Sequence, residues 1–225
     1  MPLHRPPPRH LEELVVRVAA LAGRSLGEIA AALDVSLAGT AVRTKGRVGQ
    51  LLERALGASA GSAALPDFPH LGVELKTVPV DAAGAPREST FVCTIDLATA
   101  DRTSWEESLA RRKLAHVLFV PVFVEHPEVG ARRVGRGCFF RPTAAQEAVL
   151  RADFDDAMGA IGAGGADDLT AHHGRWLQVR PKAANGAVRT FAPDDDGALV
   201  ETGPRGFYLR RKFVAAVLLD PAALP

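Results

Sequence analysis

At 225 residues, 47% hydrophobic and 24% charged, the chain has the composition of an ordinary globular protein of one large or two small domains. With 27 basic against 26 acidic residues its net charge is +1, which excludes a polybasic tail and means that any hold on nucleic acid must come from local patches. Two cysteines, Cys93 and Cys138, with no C-x-x-C and no histidine at metal-ligand spacing, read as reduced core thiols of a cytoplasmic protein.

The first nine residues, rich in proline and arginine, predict a disordered lead-in without the apolar run of a signal peptide. From His10 the spacing of Leu11, Leu14, Val15, Val18 and Leu21 predicts a buried helix ended by Gly23, and Ser25 to Glu28 is a capping box opening a second helix to about Leu33. A third helix, about Val48 to Leu56, carries Glu53 and stops at Gly57. The small residues of Gly57 to Ser62 fit either a flexible connection or close backbone approach to a phosphate.

Gly72 to Val80 and Glu88 to Leu97 predict two strands of one hairpin around the turn-rich Asp81–Pro86. Ser104 to Glu107 predicts the cap of a helix to about Leu114, with Arg111, Arg112 and Lys113 near its end, where the helix dipole favours cations. Ala115 to Val124 is a nearly continuous apolar run, expected in the middle of a sheet, and far short of the ~20 residues that a membrane helix needs. Arg132 to Phe140 predicts one further strand. Thr143 opens a helix to about Ile161 with Phe154, Ala157, Met158 and Ile161 on its apolar face.

Gly162 to Gly165 is a hinge-like break. After it come a strand near Arg175 to Arg180, a loop, a strand near Gly206 to Arg210 and a last helix near Lys212 to Leu219. This organisation predicts two lobes, residues 10–161 cutting and residues 166–225 reading, with a cleft between them. Asp194-Asp195-Asp196-Gly197 reads as a surface turn, because it lacks the loop length and final glutamate of a calcium site. His172 and His173, adjacent in sequence, do not face one ligand.

The most informative stretch is Asp67 to Lys76. Alternation in Val73-Glu74-Leu75-Lys76 turns two apolar side chains to one face of a strand and two charged ones to the other, with Lys76 about 6–7 Å beyond Glu74. Asp67 and Glu74 are oxygen donors of the kind a hard cation such as magnesium prefers, and such a cation stabilises charge on the attacking and leaving oxygens of a phosphodiester. Glu53 adds a third carboxylate, and unit charges some 4 Å apart repel by about 4 kcal/mol at an effective dielectric near 20, so the cluster requires compensating cations. Alone, an acidic residue followed by Glu-x-Lys is a weak pattern, better accounted for by the solvated face of an amphipathic strand.

Ordered blocks along nearly the whole chain carry a resemblance. They are Lys45-Gly46-x-Val48-Gly49-x-Leu51-Leu52-Glu53, Leu56 to Ser62, Asp67-Phe68, Leu71 to Thr77, Thr90 to Cys93, Gln178 to Asn185 and Pro204 to Leu209. In these the chain resembles the MutH family of mismatch-repair endonucleases, which nick unmethylated GATC sites. The resemblance implies a restriction-endonuclease-like α/β (α+β) fold, with a mixed central β-sheet flanked by helices and two lobes forming a DNA-binding cleft.

It further implies a magnesium-dependent endonuclease that nicks the unmethylated strand of hemimethylated GATC DNA, working as a monomer with MutL and, through it, MutS. Asp67 and Glu74 are then expected to bind Mg2+ with the backbone carbonyl of Leu75, a position used by PD-(D/E)xK nucleases. Glu53 would hold a second metal or a water, and Lys76 would orient water or offset charge in the transition state. Lys45, Phe91 and Lys113 are the expected DNA contacts, Arg180-Pro181-Lys182 the sequence-reading loop, and Tyr208 the methylation sensor. A free-standing GATC restriction-type endonuclease and a non-catalytic DNA-binding module on the same scaffold are the competing expectations. The first predicts dimerisation or an internal duplicate, and the chain shows no repeat; the second would have no use for the carboxylates.

Overall fold

Strand β3 (Val117–Phe123) is buried at six of its seven positions, and the fold is arranged to cover both of its faces. In the computed structural model, which describes residues 5–37, 46–61, 63–170, 173–182 and 187–221, strand β1 (Glu74–Val80) lies parallel to β3 with Glu74 opposite Val117. On the other side β4 (Arg133–Val134) and β5 (Cys138–Phe140) pair antiparallel to it, completing a mixed sheet.

The run predicted as one strand from Arg132 to Phe140 is thus two. The break falls at Gly135-Arg136-Gly137, where a Cβ on Gly137 would stand 2.3 Å from the Val18 side chain, so the backbone presses against the first helix where only glycine fits.

The predicted hairpin between Gly72–Val80 and Glu88–Leu97 does not form. One bridge, Val80 to Pro86, closes the turn between the two segments, and β2 (Thr90–Thr94) departs to a second sheet. The connection is longer than the roughly two to five residues of most hairpin loops. The second sheet has the order β2-β9-β6, with β6 at Leu177–Pro181 and β9 at Arg205–Leu209, all antiparallel. A strand from the segment predicted to cut therefore sits in the sheet of the segment predicted to read.

The segment 181–205 is expected to be a loop. It contains the hairpin β7 (Thr190–Pro193) and β8 (Leu199–Thr202), turned by Asp194–Gly197. There Asp194 Oδ1 accepts from the amides of Asp196 and Ala198, and Gly197 takes φ +81°, the arrangement of a surface turn.

Helices α1 (Leu11–Ala19), α2 (Leu26–Ala32) and α3 (Arg47–Leu56) cover one face of the mixed sheet, burying Leu14, Leu26, Leu52 and Leu75 together. The Ser25–Glu28 capping box is present in both directions. Helix α4 is shorter than predicted, Leu109–Leu114. The Ser104 hydroxyl does meet Glu107, but Trp105 is drawn into the core, and Ser108 becomes the cap, accepting from the Arg111 amide.

Helices α5 (Ala144–Gly162) and α6 (Arg211–Leu219) pack with the second sheet on the other face, where Phe154, Ala157, Met158 and Ile161 are all buried. Part of the lead-in predicted to be disordered is held. Arg17 donates to the carbonyls of Pro6 and Leu56, and the His70 ring meets the Pro8 carbonyl at 2.5 Å, which satisfies buried polar groups at the ends of α1 and α3.

Candidate active site

The two faces of β1 go to different layers. Val73 and Leu75 pack under the helices, while Glu74 and Lys76 point with Val78 and Val80 toward the second sheet. Glu74 is 2% exposed, and a carboxylate so buried stays charged only if it is paired. Two ammonium groups pair it. Lys76 Nζ donates to Glu74 Oε1 at 2.7 Å, and Lys113 Nζ, from the last turn of α4, donates to Oε1 at 2.8 Å and Oε2 at 3.0 Å. Lys113, expected at the DNA, is therefore found on the carboxylate.

Asp67 reaches the same region by a tight reversal. Phe68 and Val73 bond backbone to backbone around a short 3-10 turn, Pro69–Leu71, and Gly72 closes it at φ +63°. This sets Asp67 Oδ2 to accept from the Leu75 amide at 2.8 Å. The Glu74 amide is used on the His116 carbonyl beside β3, so the Leu75 N–H and C=O face the opposite, open edge of β1, the edge that Asp67 occupies.

The described part of the Gly57–Ser62 segment, residues 57–61, is tied down by backbone hydrogen bonds. The amides of Gly57 and Ala58 donate to the Glu53 carbonyl and those of Ser59 and Ala60 to the Asp67 carbonyl, a backbone tie between the helix of Glu53 and the turn of Asp67.

The electrostatics register the crowding. Burial, then the charges of Asp67 and Glu74, push the Glu53 carboxyl above its ordinary value; burial and Glu74 do the same to Asp67, opposed by the Leu75 amide, Lys76 and Lys113. Like charges sharing a site in this way are characteristic of cation-binding or catalytic carboxylates. Among the described residues no group of three His, Cys, Asp or Glu side chains stands close enough to hold a metal as it is. Even so, the donors are all oxygen, Asp67 has one carboxylate oxygen outside the Leu75 bond, and the two ammonium groups on Glu74 mark where positive charge is favoured. These residues fit a hard divalent cation.

Above the carboxylates the second sheet supplies a groove of about 660 Å³ whose lining includes Lys76, Phe91, Arg180, Pro181, Lys182 and Tyr208. Phe91 and Tyr208 are register partners on β2 and β9, edge to face at 5.2 Å between ring centres. Lys182 Nζ lies 4.5 Å from the centre of the Phe91 ring, and Lys76 Nζ 5.9 Å; the Arg180 guanidinium stands 5.9 Å from the Tyr208 ring. Alternation along β9 buries Phe207 and Leu209 and leaves Tyr208 toward the groove.

Three contributors to this groove were not singled out from sequence. Ser89 Oγ accepts from Arg180 Nη1 at 2.8 Å. Gly206 lets Phe91 lie across it, since a Cβ there would be 2.9 Å from Phe91 Cε2 and 3.0 Å from the Cys93 carbonyl. Glu88 lines both this groove and a neighbouring one of about 720 Å³ that holds Glu53, Leu75 and Thr77. A lone serine and a lone glutamate carry no signal in sequence, whereas the glycine lay inside the block Pro204 to Leu209. Lys45 lies outside the described residues, and so does His172; Gly46, next to Lys45, lines the Glu53 groove. No helix among the described residues is long and apolar enough to cross a membrane.

The profile of the family described as DNA mismatch repair enzyme MutH matches residues 56–153. A DNA mismatch repair protein MutH from Shewanella amazonensis is 46% identical over 213 residues, covering 94% of this chain and 95% of that protein. Its counterpart from Shewanella oneidensis is 45% identical over 213 residues, with 94% and 96% covered.

Proposed function

Because the chain belongs to the MutH family of DNA mismatch repair enzymes, we propose that it is a magnesium-dependent endonuclease nicking the unmethylated strand of hemimethylated GATC duplexes. It acts in the cytoplasm, as a monomer, when MutL, itself engaged by MutS, calls on it. The observation that carries this reading is the continuity of one groove from Lys76, bonded to the buried Glu74, to Phe91, Arg180, Lys182 and Tyr208.

Asp67, Glu74, the Leu75 carbonyl and Glu53 would hold the cation. When bound, it supplies charge stabilisation to the attacking and leaving oxygens of the scissile phosphate. Lys76, already fixed by Glu74 and by the Val92 carbonyl at 3.3 Å, orients water or offsets charge that develops at phosphorus. Lys45 and Lys113 hold backbone phosphates, contacts that make binding salt-dependent. Arg180 suits bidentate bonds to guanine in the major groove, with Pro181 and Lys182 beside it. Phe91 packs against the DNA, and the Tyr208 hydroxyl senses the adenine amino group, whose donor pattern changes on methylation.

The deciding experiment incubates the purified protein with unmethylated, hemimethylated and fully methylated GATC duplexes, with magnesium or with chelator, with and without MutL. The expected result is magnesium-dependent nicking of unmethylated strands only, accelerated by MutL. Cleavage indifferent to methylation would favour a restriction-type enzyme, and binding without cleavage under every condition would leave only a DNA-binding module.

A further inference from the structure

Both oxygens of Glu74 accept from cations of the chain itself. Oε1 accepts from Lys76 and Lys113, and Oε2 from Lys113. A divalent cation arriving at this carboxylate meets two ammonium charges a few ångströms away, which oppose it, and competes with three charge-assisted hydrogen bonds.

The two lysines are not held alike. Lys76 Nζ has a further acceptor in the Val92 carbonyl and lies beside the Phe91 ring. Among the described residues both hydrogen bonds of Lys113 Nζ go to Glu74 alone, and its side chain is 15% exposed. The helix under it is anchored independently: Arg111 donates to Glu147 of α5 at 2.7 Å, and Trp105 donates to the same carboxylate. The Lys113 side chain can therefore swing on its four-carbon stem while α4 stays in place.

We propose that Lys113 is a substrate-released counter-ion: without DNA its ammonium occupies Glu74 and weakens cation binding there, and a DNA phosphate entering the groove draws it away. Cation and DNA then bind with positive coupling, which by linkage must be reciprocal. A nuclease built this way loads its cation where DNA is present and keeps a paired, inert carboxylate elsewhere. The inference rests on the reading of Glu74 as a cation ligand.

The test uses the full chain and Ca2+, an oxygen-seeking cation. Isothermal titration gives Ca2+ affinity without DNA, and anisotropy of a labelled GATC duplex, with and without Ca2+, gives the coupling. Wild type is compared with Lys113→Gln, Lys113→Arg and Glu74→Gln. In Lys113→Gln, Lys76 still pairs Glu74, and a melting curve reports whether each variant is folded. DNA-free Lys113→Gln is expected to bind Ca2+ roughly tenfold more tightly than wild type, since one opposing charge is gone. Ca2+ should tighten duplex binding roughly tenfold in wild type and Lys113→Arg, but less than about twofold in Lys113→Gln. Unchanged or weaker Ca2+ binding by Lys113→Gln, while Glu74→Gln abolishes it, overturns the counter-ion role and leaves the metal reading standing. Ca2+ binding that survives Glu74→Gln overturns both.

Discussion

Lys76 Nζ and Glu74 Oε1 lie 2.7 Å apart on the same face of β1, one strand repeat from each other, with the carboxylate buried and the ammonium at the groove. Their roles are separable from DNA binding, because the groove's aromatic and guanidinium groups stand on other strands. Glu74→Ala or Lys76→Ala should slow nicking by roughly 100- to 1000-fold or more while duplex affinity, read by gel shift without divalent cation, changes little. Cleavage retained in either variant would remove that residue from the chemistry.

Tyr208 contributes a ring to the Phe91 contact and a hydroxyl to the groove, and Tyr208→Phe removes only the hydroxyl. The ratio of nicking rates on unmethylated and methylated GATC strands should fall by about tenfold or more, in line with the roughly 1–3 kcal/mol that a good base contact supplies. Equal loss on both substrates would point to packing.

Asp153 of α5 is buried and accepts from three consecutive backbone amides, Arg175, Trp176 and Leu177, at 2.6, 2.7 and 2.8 Å. It pins the start of β6, the strand that runs on to Arg180 and Pro181. Asp153→Ala leaves those amides without an acceptor and should destabilise the fold by roughly 3 kcal/mol or more. For a chain of this size that lowers the melting temperature by about 6–12 °C, measurable by calorimetry. Duplex affinity should weaken with it.

Glu13 illustrates a pH dependence with a definite sign. The Arg9 amide and the Arg17 guanidinium hold its carboxyl down at about 2 in the folded protein, below the unfolded value near 4.3. Its contribution is present above pH about 4.3 and disappears as the pH falls toward 2. Glu13→Gln should thus be less stable than wild type to urea at pH 6, with the gap closing between pH 4 and 2. A gap that widens on acidification would contradict this assignment.

What was legible in the sequence was local. The Ser25–Glu28 capping box, the helix start at Thr143, the αL stop at Gly57, the six buried positions of β3 and the alternation that puts Glu74 and Lys76 on one face depend on neighbours a few residues away. The family resemblance likewise singled out Phe91, Arg180, Pro181, Lys182 and Tyr208, which share one groove with Lys76. What failed was partner choice. Nothing near Thr90 says that β2 prefers β9 to β1, nothing near Ser104 says that Trp105 will be drawn to the core, and nothing near Lys113 says that its ammonium will settle on a carboxylate 39 residues away.

The primary structure by itself determined which side chains could do chemistry here and on which face of which element each would stand, since backbone periodicity and capping are short-range. Only the tertiary structure decided what each of them meets. Sheet pairing and the pairing of a buried charge are settled by competition among segments distant in sequence, as when Glu74 sinks beneath the second sheet and takes both nearby lysines to stay ionised.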